Sequence, residues 1–182
     1  MLFRKRILMG VLATALGAAL GSAEETRPLH PQLEPFRPLL GQTWSGAFPD
    51  RPDGVKLVDV VRYERVLNGM AVRSTHSINA GIYGGETLFR WDAQAEQLVF
   101  HYFTTQGFMT KGTMTQGPAG TFTSLEIVED PATADGVSQV KSVFTISADE
   151  LVVESQFYKD GVWESGHQAV YRLAASQDVV LK

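Results

Sequence analysis

The chain has 182 residues, 20 acidic against 16 basic side chains, and no cysteine. That length suits one domain. The missing thiols exclude disulfides, thiolate metal sites and a cysteine nucleophile, and the acidic balance disfavours nucleic acid as a partner.

Residues 1–23 read as a secretory signal peptide. Arg4, Lys5 and Arg6 precede an apolar run from Ile7 to Leu20, and Gly21-Ser22-Ala23 offers small residues for cleavage before Glu24. The run holds about 14 residues, short of the roughly 20 that a spanning helix needs. Removing it leaves 13 Lys plus Arg against the same 20 Asp plus Glu, a net charge of about −7. With no cysteine to carry a lipid, the expectation is a periplasmic or secreted protein without a stable membrane anchor. Residues 24–30 are expected to be a flexible leader, 31–174 the folded domain, and 175–182 a frayed tail.

Leu33, Phe36 and Leu40 fall at helical spacing, but Pro35 and Pro38 forbid a long regular helix. One or two turns, 3₁₀ in character, are predicted, with the apolar side against one end of the fold. From Trp44 to Leu173 about ten short apolar runs alternate with turn signals. The runs are 43–48, 56–67, 70–78, 86–92, 97–104, 108–115, 121–128, 137–146, 151–158 and 162–173. Asn68-Gly69, Gly84-Gly85, Asp135-Gly136 and Asp160-Gly161 mark the clearest turns. Even hairpin spacing, with 129–136 as the only long polar connection, predicts an all-β fold: a single antiparallel up-and-down barrel of about ten strands with a short N-terminal helical turn. Closure removes the unpaired edges of an open sheet.

Alternation assigns faces. The third run offers Met70, Val72, Ser74, His76 and Ile78 to the interior. The eighth offers Val140, Ser142, Phe144 and Ile146, and the ninth Leu151, Val153, Ser155 and Phe157. The last offers Trp163, Ser165, His167, Ala169, Tyr171 and Leu173. Each face is apolar with a serine near its middle. A buried hydroxyl without a partner costs roughly 1–3 kcal/mol, so this pattern predicts a hollow interior rather than a filled core. The ligand site is therefore placed on Met70, Val72, Phe144, Phe157, Trp163 and Tyr171 as walls, with Ser74, His76, Ser155 and His167 as polar contacts. The segment Asn79–Gly85 is expected to be the portal. A small apolar or amphipathic molecule fits such a lining.

The candidates for chemistry are sparse. His76, His101 and His167 lie on separate runs without metal-ligand spacing. Glu126 shares a face with Phe122 and Ser124. No G-x-S-x-G elbow, phosphate loop or dinucleotide fingerprint is present. No metal is expected and no catalytic residue is assigned. The alternative is an enzyme of hydrolase or isomerase type, with His167 or His76 as base. A third reading uses the Phe100-His101-Tyr102-Phe103 aromatic stretch as a partner surface.

The segment Leu39-Leu40-Gly41-Gln42-Thr43-Trp44-Ser45-Gly46 resembles the opening of calycin-type barrels, in which a short helix leads into G-x-W on the first strand. That resemblance implies that Trp44 plugs the closed end. Lipocalins, fatty-acid-binding proteins and nitrobindin-like haem proteins share this plan. Trp44-x-Gly46, together with His167 followed by Ala169 and Arg172, is similar to the nitrobindin-like group. By that resemblance His167 is the position of an axial haem ligand, which makes haem a possible cofactor.

Overall fold

The computed structural model describes residues 28–49 and 53–182. The expected signal peptide, residues 1–23, lies outside them, as does most of the leader. A 3₁₀ segment, Pro31–Leu39, is followed by ten strands: β1 Thr43–Ala47, β2 Val58–Val66, β3 Ala71–Ile78, β4 Tyr83–Asp92, β5 Gln97–Thr104, β6 Met109–Gln116, β7 Thr121–Val128, β8 Gln139–Ile146, β9 Leu151–Lys159 and β10 Val162–Leu173. Every strand pairs antiparallel with its sequence neighbour, and β1 pairs with β10, so the sheet closes into a barrel. The all-β, up-and-down expectation holds.

One end is plugged. Pro35 and Pro38 lack the N–H donors that an α-helix needs, so the segment winds with a period of three. Leu33, Phe36 and Leu39 then share one face and are buried; Leu39 takes the place the helical spacing gave to Leu40. Phe36 lies between Phe89 and Phe122, with ring centroids 5.2 and 5.3 Å away. Trp44 is fully buried and its indole Nε1 donates to the Leu39 carbonyl at 3.3 Å. Val72 belongs to this same plug-end core.

The two ends of the described domain are better anchored than expected. Leu29 is buried, His30 N–H donates to the Gly69 carbonyl, and the His30 ring stacks on Trp91. At the other terminus, Val180 N–H donates to Ser77 Oγ at 3.0 Å, and the tail leaves Ser77 only 1% exposed. Ser77 points outward from the barrel; the tail, not the core, buries it. The tail is therefore packed rather than frayed.

Two turn readings change. Asp160-Gly161 is a two-residue hairpin turn with φ of 51° and 85° at its two positions, as the type I′ geometry demands. Asn68-Gly69 is not: Val66 pairs with Ala71, so the loop takes four residues, Leu67 to Met70. Met70 is consumed by that loop and stands 58% exposed. Gly84-Gly85 forms no turn at all. The chain reverses at Asn79, Ala80 and Gly81, all at positive φ, and both glycines sit inside β4.

Phe36→Ala removes the ring that joins the plug to two strands. The expected cost is about 3–5 kcal/mol in urea denaturation, with an unchanged m-value. A loss below about 1 kcal/mol would reject the plug as a stability element.

Candidate functional site

The unplugged half of the barrel holds a cavity of about 620 Å³. Its apolar wall includes Phe89, Phe100, Phe144, Val153 and Ala169. The mouth is framed by Phe48, by Gln106 and Phe108 after β5, and by Thr133–Asp135 and Val137 between β7 and β8. The long polar connection between β7 and β8 thus forms part of the mouth. Of the expected portal segment Asn79–Gly85, Tyr83 lines the cavity, while the turn at Asn79 does not. Asn79 instead staples two loops: its Nδ2 donates to the Lys56 carbonyl and its Oδ1 accepts from Val58 N–H.

A row of polar groups crosses one wall. Asp59 on β2 accepts from the Tyr171 hydroxyl at 2.9 Å through Oδ2, and its Oδ1 lies 2.9 Å from His76 Nδ1. His76 Nε2 is 2.7 Å from Tyr102 Oη, which is 2.8 Å from Tyr83 Oη. The row has two senses. A neutral ring with Nδ1–H on Asp59 accepts from Tyr102; a doubly protonated ring donates to it and turns both phenols around. Gly85 makes this row possible. A Cβ there would stand 2.5 Å from the Tyr102 ring, so only glycine lets that ring lie flat against β4 and reach His76. Burial raises the pKa values of Tyr102, Tyr83 and Tyr171, and the Asp59 charge adds to the effect on each. The phenols stay protonated and serve as hydrogen-bond groups rather than as phenolates.

Of the sequence-assigned residues, Ser74, His76, Phe144, Ser155, Phe157, His167 and Tyr171 line the cavity. Three do not. Met70 is at the opposite end, in its four-residue loop, and Val72 is in the plug-end core. Trp163 faces outward: its ring packs on Tyr158, and Lys141 Nζ sits 4.0 Å from its centre. The cause is a bulge in β10. Ser165 pairs with Gln156 but Gln168 pairs with Glu154, so three steps on β10 answer two on β9 and the facing inverts. Ser165 leaves the interior with Trp163. Ser155 is committed to this bulge, where its hydroxyl donates to the His167 carbonyl and accepts from His167 N–H. It supports the wall more than it offers a free contact.

His167 stands at the mouth, its ring 4.7 Å from Phe48 and 5.0 Å from Phe157. Among the described residues its ring nitrogens have no hydrogen-bond partner, and burial among those rings lowers its pKa. His101 lies on the outer face of β5 and is exposed, so the three histidines do not converge. Among the described residues no cluster of metal-ligating side chains occurs.

Sequence reasoning missed Asp59, Tyr83 and Tyr102. The acid on the Val61–Tyr63 face of β2 was the available signal. Glu126 does point inward. Its Oε1 accepts from Thr110 Oγ1 at 2.6 Å, yet burial pushes its carboxyl above the ordinary value near 4.5. The native state then holds the proton longer than the unfolded chain. This group costs nothing below the unfolded pKa and destabilises increasingly as pH rises from there through the folded pKa. Glu126→Gln removes that dependence. Thermal or urea unfolding should show the ligand-free variant gaining on the native protein above about pH 4.5, by at most about 1.4 kcal/mol per pH unit. The two should converge in acid. Parallel pH profiles would contradict the assignment.

No family model matches the chain, and no curated protein matches it. Among solved structures, the chain is similar to Rv2717c from M. tuberculosis, with a TM-score of 0.59 and 17% sequence identity. The match covers 81% of this chain and 99% of that one. The likeness is one of fold: a ten-strand antiparallel barrel.

Proposed function

We propose that this chain is an exported, calycin-type binding protein that holds a small amphipathic molecule in its barrel. The observation that carries the reading is the cavity itself, about 620 Å³ with an aromatic wall and one organised polar row. A few convergent polar groups on an apolar wall fix a ligand's orientation, while the wall supplies most of the affinity. The Asp59–His76 pair ends on a phenol whose pKa burial has raised, which suits an anchoring role better than a nucleophile. Export rests on the basic n-region, apolar run and small-residue site of residues 1–23.

The neutral fluorescent probe N-phenyl-1-naphthylamine should bind the purified protein with enhanced emission. Val153→Trp, which fills the cavity from β9, should weaken binding at least about tenfold without lowering the unfolding midpoint by more than a few degrees. A protein that binds neither this probe nor any co-purifying apolar molecule in native mass spectrometry contradicts the proposal.

One observation favours a second reading, haem binding. His167 offers an imidazole whose pKa burial lowers, without a hydrogen-bond partner among the described residues on either ring nitrogen, at the open mouth. That donor fits a single axial ligand, and haem held there would supply redox and gas-binding chemistry. Phe48 and Phe157 would flank it. Hemin titration should then give a Soret band that His167→Ala abolishes. Identical spectra for the two proteins would eliminate this reading.

A further inference from the structure

The charge of the lining narrows the class of ligand. Among the described residues that line the cavity there is no lysine and no arginine, while Asp59 and Glu126 lie inside and Asp135 lies at the mouth. On the neighbouring strands β2 and β3, Arg62 and Arg73 face outward and pair there with Glu64, Arg73 at 2.7 Å and Arg62 at 3.5 Å. Of the two interior histidines, His76 is committed to Asp59 and Tyr102, and His167 is held neutral by its aromatic surroundings. A carboxylate or phosphate head group would meet hydroxyls and further acids, with no fixed cation among the described lining residues to hold it.

The two interior acids differ in what they have left to offer. Both oxygens of Asp59 are taken, one by Tyr171 and one by His76. Glu126 uses Oε1 toward Thr110, and among the described residues Oε2 has no partner. Its cross-strand neighbour on β6 is Gly112, and the Phe100 ring occupies the space a Gly112 side chain would take. An acceptor beside an aromatic ring, within an otherwise apolar wall, is the setting in which an ammonium group gains from both a charge-assisted hydrogen bond and the ring face.

We propose that the cavity selects amphiphiles with a protonated amine head, received at Glu126, and discriminates against fatty acids and other carboxylates. This rests on the binding reading above and specifies its ligand. An ammonium group at Oε2 also opposes the burial that raises the Glu126 carboxyl, by giving its ionised form a cationic partner.

Calorimetric titration of the full chain at pH 7 with dodecylammonium, dodecanoate and dodecanol, each below its micellar concentration, tests the inference. The amine should bind at least about tenfold more tightly than the carboxylate. In Glu126→Gln the ratio of amine to alcohol affinity should fall about tenfold; alcohol binding by the variant serves as the check that its cavity has formed. Dodecanoate binding as tight as the amine, or an unchanged ratio in the variant, overturns the inference while leaving the binding reading in place. Failure of all three probes to bind overturns both. Should the glutamine variant not fold, Glu126→Asp, which shortens the side chain by one methylene and keeps the acid, should lower the same ratio by a smaller factor. An unchanged ratio there also overturns the inference.

Discussion

Ten strands close a ring wider than the side chains of its own walls can fill, since about eight already bring opposite faces into contact. That geometric excess governs the rest of the molecule. The 3₁₀ segment and Trp44 fill one end, where Phe36, Phe89 and Phe122 meet. Among the described residues nothing comparable enters the other end, and the cavity is what remains. Serines at Ser74 and Ser142 are tolerated on inward faces because the space beside them is open.

Asp59 organises the polar side of that space. Both of its oxygens are used, by groups from β10 and β3, so a single carboxylate ties together strands far apart in sequence across the closing seam of the barrel. From it the polar row continues through His76 to β5 and β4. Bare glycines flank it: Gly46 under the Tyr171 ring and Gly85 under Tyr102. Each lets a tyrosine lie along the sheet and aim its hydroxyl, so the row is as much a product of missing side chains as of those present.

Much of this architecture was readable from alternation and turn chemistry, because β3, β8 and β9 are regular and their faces follow a strict period of two. The failures have local causes. On β10 the bulge shifts parity midway, so Trp163 and Ser165 were assigned the face they do not occupy. On β2 valines stand on both faces, and the inward acid gave no periodic signal. On β5 aromatics stand on both faces, which hid Tyr102. The glycine pair at 84–85 reads as a turn by composition but serves as clearance for a ring; misplacing it put Tyr83 in a loop instead of at the end of the polar row. Glu126, on a regular strand, shares the face of Phe122 and Ser124 by spacing, and that face is the inward one.

The packed C-terminal tail has a mechanical meaning. Ser77, which receives Val180, is the next residue after His76, and Gly84, against which Leu181 rests, is the next after Tyr83. Two members of the inner row thus sit next in the backbone to outer positions on which the chain's last residues rest. Tension applied at Lys182, by a fused partner or a tether, would be transmitted straight to the wall that carries His76 and Tyr83, making the terminus a natural handle on the chamber's geometry.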